Sequence, residues 1–175
     1  MIDDVQPRSI RPNAGAYVDT CVISARIEDQ FPSEMVAFDA ILSAYKNRSI
    51  DLVRSNIVDE EIGAIPAKYR APHSELICTL LSIPVATAGA RTRMGLSGFA
   101  QANPKRQLWQ RLNAAVSGEA DREHIFTAAC SRLNFFITVD RRTILSHAEQ
   151  ILKASGVHVL LPTQLVARAL PELNG

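Results

Sequence analysis

Cysteine is scarce and scattered in this chain: Cys21, Cys78 and Cys130 are odd in number and nowhere form a Cys-x-x-Cys pair. That argues against a disulfide framework and against a structural zinc site, and it suits a reducing, cytoplasmic environment. Charge of one sign is also missing. Nineteen Lys and Arg stand against eighteen Asp and Glu, a formal net charge of +1, so no global attraction to nucleic acid exists and any such binding must use a local patch. No apolar run reaches the ~18 residues a membrane span needs. The stretch from Met1 to Asn13 carries Asp3, Asp4, Arg8 and Arg11 without an apolar core, and reads as neither a signal peptide nor an anchor. There are no internal repeats and no low-complexity tract.

What is present is apolar material for one core. With 175 residues and 47% hydrophobic content, the chain is read as a flexible tail over residues 1–14 and a single domain over 15–175. Two segments share one form: Ala16-Tyr17-Val18-Asp19-Thr20 and Phe135-Phe136-Ile137-Thr138-Val139-Asp140 are apolar runs that stop on a carboxylate. Both read as buried strands. Further strands are expected at Ile50 to Ser55, more weakly at Ile83 to Thr87, and at Val157 to Leu161. Helical spacing marks Met35, Phe38, Leu42 and Tyr45, then Leu108, Leu112 and Ala115, then Asp121, Ile125, Ala128 and Ala129. Helices are also expected over Cys21 to Glu28, near Leu76 to Leu81, from about Arg142 to Ala154, and after Pro162. Short apolar strands alternating with amphipathic helices predict a three-layer α/β/α architecture with a mainly parallel sheet.

In such a sheet the ligand crevice lies outside the carboxyl ends of the strands, where Asp19 and Asp140 are placed. Helices that follow strands begin at the same edge. Ser55 or Asn56 reads as an N-cap, which puts Asp59, Glu60 and Glu61 in the first turns of one helix, and Asp121 falls in the first turn of another. Either Asp19 or Asp140 alone has a plainer reading as a cap or turn residue. Four acids at one edge are different: ionised carboxylates about 4 Å apart repel by roughly 4 kcal/mol per pair at an effective dielectric near 20, unless a cation sits among them. Oxygen ligands suit Mg²⁺ or Mn²⁺, and such ions activate water and stabilise charge in phosphodiester hydrolysis. The histidines, His73, His124, His147 and His158, are scattered and form no evident nucleophile system.

The segments Tyr17-Val18-Asp19-Thr20 with Ser24, Ser55 to Ile62, Glu119-Ala120-Asp121 with its Ala-rich helix, Phe136 to Asp140, and the closing Val157 to Thr163 together resemble the PIN domain, in order, over residues 16 to 170. The resemblance implies a Mg²⁺- or Mn²⁺-dependent endoribonuclease, the family including toxins of toxin-antitoxin pairs. It implies Asp19, Glu61, Asp121 and Asp140 as catalytic metal ligands, with Thr20 and Thr138 as polar neighbours that hydrogen-bond a carboxylate or a bound water. Glu60 competes with Glu61. Glu61 is preferred because Ile57, Val58 and Ile62 bury a helix face with it, whereas Asp59 and Glu60 look solvated. The implied partners are an RNA substrate and an antitoxin or other inhibitory protein, with homo-oligomerisation left open. The stretch from Ile65 to Ser117 is longer than in compact toxins of the family.

Between Glu75 and Glu119 no acid occurs, yet Arg91, Arg93, Lys105, Arg106 and Arg111 do, with Phe99 and Trp109 among them. That stretch is a candidate RNA-binding patch, with a solvated helix face and a core Trp109 as the plainer reading and a groove for an acidic partner as a third. Two other functions compete with the nuclease. One is a PIN-like module that binds RNA or protein without cleaving. The other, phosphatase chemistry on an aspartate nucleophile, wants a second acid two positions after Asp19, where Cys21 stands.

Overall fold

Residues 15–86 and 104–169 are described by the computed structural model. The expected tail over 1–14, and Arg91, Arg93 and Phe99 of the basic stretch, lie outside them. Four strands, β1 (Gly15–Val18), β2 (Asp51–Val53), β3 (Phe135–Ile137) and β4 (His158–Leu160), form one sheet in the order β2-β1-β3-β4. All three pairings are parallel, with Tyr17 beside Val53 and Phe136, and Phe136 beside Val159. The expected α/β/α layering is what the chain adopts.

Strand alternation makes the layers. Ala16, Val18, Phe135 and Ile137 face one way, onto α1 (Thr20–Ile27), α2 (Pro32–Lys46), α3 (Asn56–Ala64), α5 (Ser74–Ser82) and α9 (Pro162–Ala169). Tyr17, Phe136 and Val159 face the other, onto α6 (Pro104–Ala115), α7 (Glu119–Cys130) and α8 (Ala148–Ser155). A sheet covered on both faces requires strands apolar at every position, which is why Phe135, Phe136 and Ile137 are all buried. Local strain yields to this burial. Phe31, ahead of Pro32, takes a left-handed φ of 50°, a conformation costing about 1–2 kcal/mol for an L-residue. The α2 side chains it leads into, Phe38 and Ile41 at 0% exposure, each contribute about 1.5–3 kcal/mol by burial, which outweighs it.

Two expected elements differ, and one region holds an element that was not expected. A helix does not start at Arg142: Arg141 to Ile144 form turns, Leu145–His147 a 3₁₀ turn, and α8 opens only at Ala148. The cause is Asp140, whose Oδ1 accepts the N–H groups of Arg142 and Thr143, and whose carbonyl accepts from Leu145 N at 2.9 Å, so the first helical bonds are pre-empted. Of the weak strand expected at Ile83 to Thr87, the described part through Ala86 keeps one parallel bridge, from Val85 to Arg54, and Thr87 lies outside the described residues. A short α4 (Ala67–Arg70) and a 3₁₀ turn at Ala71–His73, set off by Pro66 and Pro72, lie where no helix was expected. Among the described residues no helix is long and apolar enough to cross a membrane.

Candidate functional site

From the central β1 the chain crosses to β2 on one side and later returns to β3 on the other, so the strand order reverses between β1 and β3. The carboxyl ends of these two strands therefore frame the crevice such sheets use for ligands. Asp19 is the first residue beyond β1, and its N–H donates to Ile137 O at 3.1 Å. It occupies the N-cap position of α1 but makes no capping bond. Its side chain instead turns into the crevice and is 5% exposed. There Oδ2 accepts hydrogen bonds from Thr138 Oγ1 at 2.7 Å and from Cys21 Sγ at 2.8 Å. Burial pushes this carboxyl above its ordinary range; the charge of His124 and the two hydrogen bonds oppose the shift, and the charge of Asp121 adds to it. Burial, with the Asp19 charge and the hydrogen bond to it, also holds the Cys21 thiol far above its usual range. Cys21 is therefore a donor to Asp19 and not a thiolate nucleophile.

Asp121 comes to the same edge at the start of α7. A side chain at Gly118, which precedes that helix, would place its Cβ 2.7 Å from Asp121 Oδ2, so glycine there leaves room for the carboxylate. Glu61 arrives from α3, whose first turn is capped by Ser55 Oγ accepting from Ile57 N at 3.2 Å. Its Oε2 is buried without a hydrogen-bond partner among the described residues and lies 3.8 Å from His124 Nε2. Glu60 is exposed. Asp59 departs from the solvated role expected of it: it pairs with the buried Arg54, whose Nη2 also donates to Leu81 O at 2.9 Å. Thr20 Oγ1 is buried and has no hydrogen-bond partner among the described residues.

Asp140 is engaged differently. It accepts from Arg142 N at 2.8 Å, from Thr143 N at 2.9 Å and from Thr143 Oγ1. Burial alone would raise its carboxyl, but these bonds and the charge of Arg142 outweigh it and hold the group below its usual range. The turn role, one of the two readings of a strand-end aspartate, accounts for its oxygens. Its N–H donates to Thr138 Oγ1 at 3.0 Å, so Thr138 joins the backbone of Asp140 to the carboxylate of Asp19. Among the described residues no three His, Cys, Asp or Glu side chains stand close enough to hold a metal ion, so the expected set of four does not close around one point in this arrangement. In donor chemistry the residues still fit a hard cation. Asp19 carries an electrostatic load, and Glu61 Oε2 and Thr20 Oγ1 are buried oxygens without hydrogen-bond partners among the described residues.

Comparison with models of protein families, with curated proteins and with solved structures gives no match. The site thus rests on its own geometry.

That geometry includes residues the sequence did not point to. His124, 3% exposed, lies one helical turn beyond Asp121 on α7 and meets Tyr17 Oη with its Nδ1 at 2.6 Å. Tyr17 Oη donates to Ser55 Oγ at 2.7 Å. Asp121 and His124 are three apart, a helix-face spacing that is visible in the sequence. Tyr17 gives no such signal, since an aromatic residue in a strand usually means packing alone. The described part of the basic stretch is partly engaged within the fold. Trp109 packs edge-on against Phe126 with centroids 5.3 Å apart, and Arg122 lies over its ring. Arg111 Nε donates to Ala154 O at 3.0 Å, near the end of α8. Lys105 and Arg106 sit in the first turn of α6, Lys105 exposed and Arg106 half-buried.

Proposed function

We propose that this chain is a PIN-like, Mg²⁺- or Mn²⁺-dependent endoribonuclease acting on RNA phosphodiesters. One observation carries the proposal: a buried aspartate at the reversal point of a parallel sheet, raised by burial and by a second acid, with a buried Glu61 oxygen on a neighbouring helix that has no hydrogen-bond partner among the described residues. The order of acids along the chain, which resembles that of the PIN domain, supports it.

In this reading Asp19, Glu61 and Asp121, which stand too far apart here to enclose an ion, would draw together around the cation, with Asp140 held in its own turn. A bound cation of this kind activates water and neutralises charge on the phosphoryl oxygens. The chain's own residues do the rest. Thr138 and Cys21 fix Asp19 by two hydrogen bonds to one oxygen, leaving its other oxygen for a ligand. Arg141 and Arg142 lie in the Asp140 turn, and the Arg142 guanidinium, whose charge acts on Asp140, would offer positive charge to a substrate phosphate. Arg141, 61% exposed, is itself anchored 3.6 Å from the buried Glu34. We further propose a cytoplasmic setting and an inhibitory partner protein of the antitoxin kind.

A second reading, a PIN-like module that binds without cleaving, is favoured by the commitment of Asp140 to its own turn. The test is cleavage of a broad pool of single-stranded and structured RNA by purified protein, with Mn²⁺ and then with chelator. Cleavage that needs Mn²⁺, and that Asp121→Asn abolishes while RNA binding persists, supports the nuclease. RNA binding with no cleavage in any condition leaves the binding module.

A further inference from the structure

We infer that His124 is a positioning residue for the carboxylate cluster, with Tyr17 and Ser55 as the brace that aims it at Glu61; the inference rests on the metal-dependent reading above. Four contacts carry it. Ser55 Oγ is held by Ile57 N at 3.2 Å, in the cap of the same helix that bears Glu61. Tyr17 Oη donates to that oxygen at 2.7 Å and meets His124 Nδ1 at 2.6 Å. With one ring nitrogen anchored, the other, Nε2, is directed to Glu61 Oε2 at 3.8 Å.

The row is buried and stiff. Tyr17 is 0% exposed, stacked on Phe136 with ring centroids 5.1 Å apart, and edge-on to the imidazole at 5.7 Å. Packing of the phenol alone needs no hydroxyl, and a phenylalanine would fill the same space. The hydroxyl instead ties α3 to α7, the helices that carry Glu61 and Asp121. The distance of 3.8 Å is too long for a hydrogen bond, so no hydrogen bond from the ring occupies the Glu61 oxygen; the contact is an ion pair when the imidazole is protonated. A group held behind a ligand in this way orients it, as outer partners of metal ligands commonly do.

The experiment measures Mn²⁺ affinity by calorimetry or electron paramagnetic resonance, alongside kcat and KM on a short single-stranded RNA. The variants are His124→Ala, His124→Asn, His124→Gln and Tyr17→Phe, each checked for folding by circular dichroism. Asparagine can replace the Nδ1 contact to Tyr17, whereas glutamine reaches the place of Nε2. We expect His124→Ala and His124→Asn to weaken Mn²⁺ binding by about 10–100-fold. His124→Gln should recover most of that loss, and Tyr17→Phe should fall between, with KM for RNA little changed at saturating Mn²⁺. Wild-type affinity in His124→Ala, or rescue by Asn and not by Gln, overturns the positioning role in favour of a purely structural one. Should His124→Ala fail to fold, the ranking of Gln above Asn decides alone. If the wild type binds no Mn²⁺, the metal-dependent reading falls first and this inference with it, a result distinct from tight binding that ignores His124.

Discussion

Thr138 Oγ1 donates to Asp19 Oδ2 at 2.7 Å, across 119 residues of sequence, and so locks the ends of the two central strands together. The same hydroxyl oxygen accepts from Asp140 N at 3.0 Å, and Thr138 is 0% exposed. Thr138→Val keeps the shape and removes both partners. An orphaned buried polar group costs about 1–3 kcal/mol, so the variant should lose that much in chemical denaturation, while Thr138→Ser should lose less. Equal stability of the Val variant would mean that water replaces the hydroxyl.

Asp19 makes the metal-free protein pH-sensitive in an unusual direction. Its folded pKa is raised above the unfolded value near about 3.9, so its contribution is fully present at low pH and is lost as pH rises through the folded pKa. Asp19→Asn removes that loss, and both hydrogen bonds go to one oxygen, which an amide can also offer. In chelator at neutral to alkaline pH, Asp19→Asn should melt at or above the wild type, with the advantage fading under acid conditions. A melting temperature that falls at every pH would show that Asp19 is stabilising as an anion.

Added Mn²⁺ or Mg²⁺ should reverse the order. A ligand that binds only the folded state stabilises by about 2.7 kcal/mol at a hundred times its dissociation constant, and Asp19→Asn should forfeit most of this. Thermal melts with and without the ion, on both proteins, make the comparison. Identical shifts in both would remove Asp19 from the ligand set.

Asp140 has the opposite sign. Its folded pKa is depressed, so its contribution is present above the unfolded value near about 3.9 and lost as pH falls through the lower folded pKa. Asp140→Ala deletes the acceptor for Arg142 N, Thr143 N and Thr143 Oγ1. By analogy with a helix cap this should cost about 1 kcal/mol at neutral pH, or about 2–4 °C in melting temperature, and the gap should narrow in acid. A gap that does not change with pH would assign the loss to side-chain packing.

Trp109 tests the fate of the basic stretch. Since it packs on Phe126 and under Arg122, Trp109→Ala should cost roughly 3 kcal/mol, the lower end for a large aromatic. RNA affinity, measured where the variant remains folded, should change little. A large loss of RNA binding at full stability would return Trp109 to a base-stacking role.

The layers, the parallel sheet and most helices were legible from the sequence because both signals are local. An apolar run such as Phe135 to Ile137 demands cover on both faces, and the spacing of Met35, Phe38 and Leu42 demands one buried helix face. Asp19 and Asp140 were placed at one edge for the same reason, since parallel strands end together. What one carboxylate does there depended on non-local partners. Nothing near Asp140 in sequence distinguishes a ligand from a turn acceptor until its oxygens are seen facing Arg142 and Thr143. Nor does a tyrosine in β1 disclose that its hydroxyl will meet His124, 107 residues away. Periodicity and chain direction determined where the acids lie; only tertiary packing, which sets distances and burial between distant segments, decided that Asp19 is buried and braced, Asp140 is tied into its turn, and His124 faces Glu61.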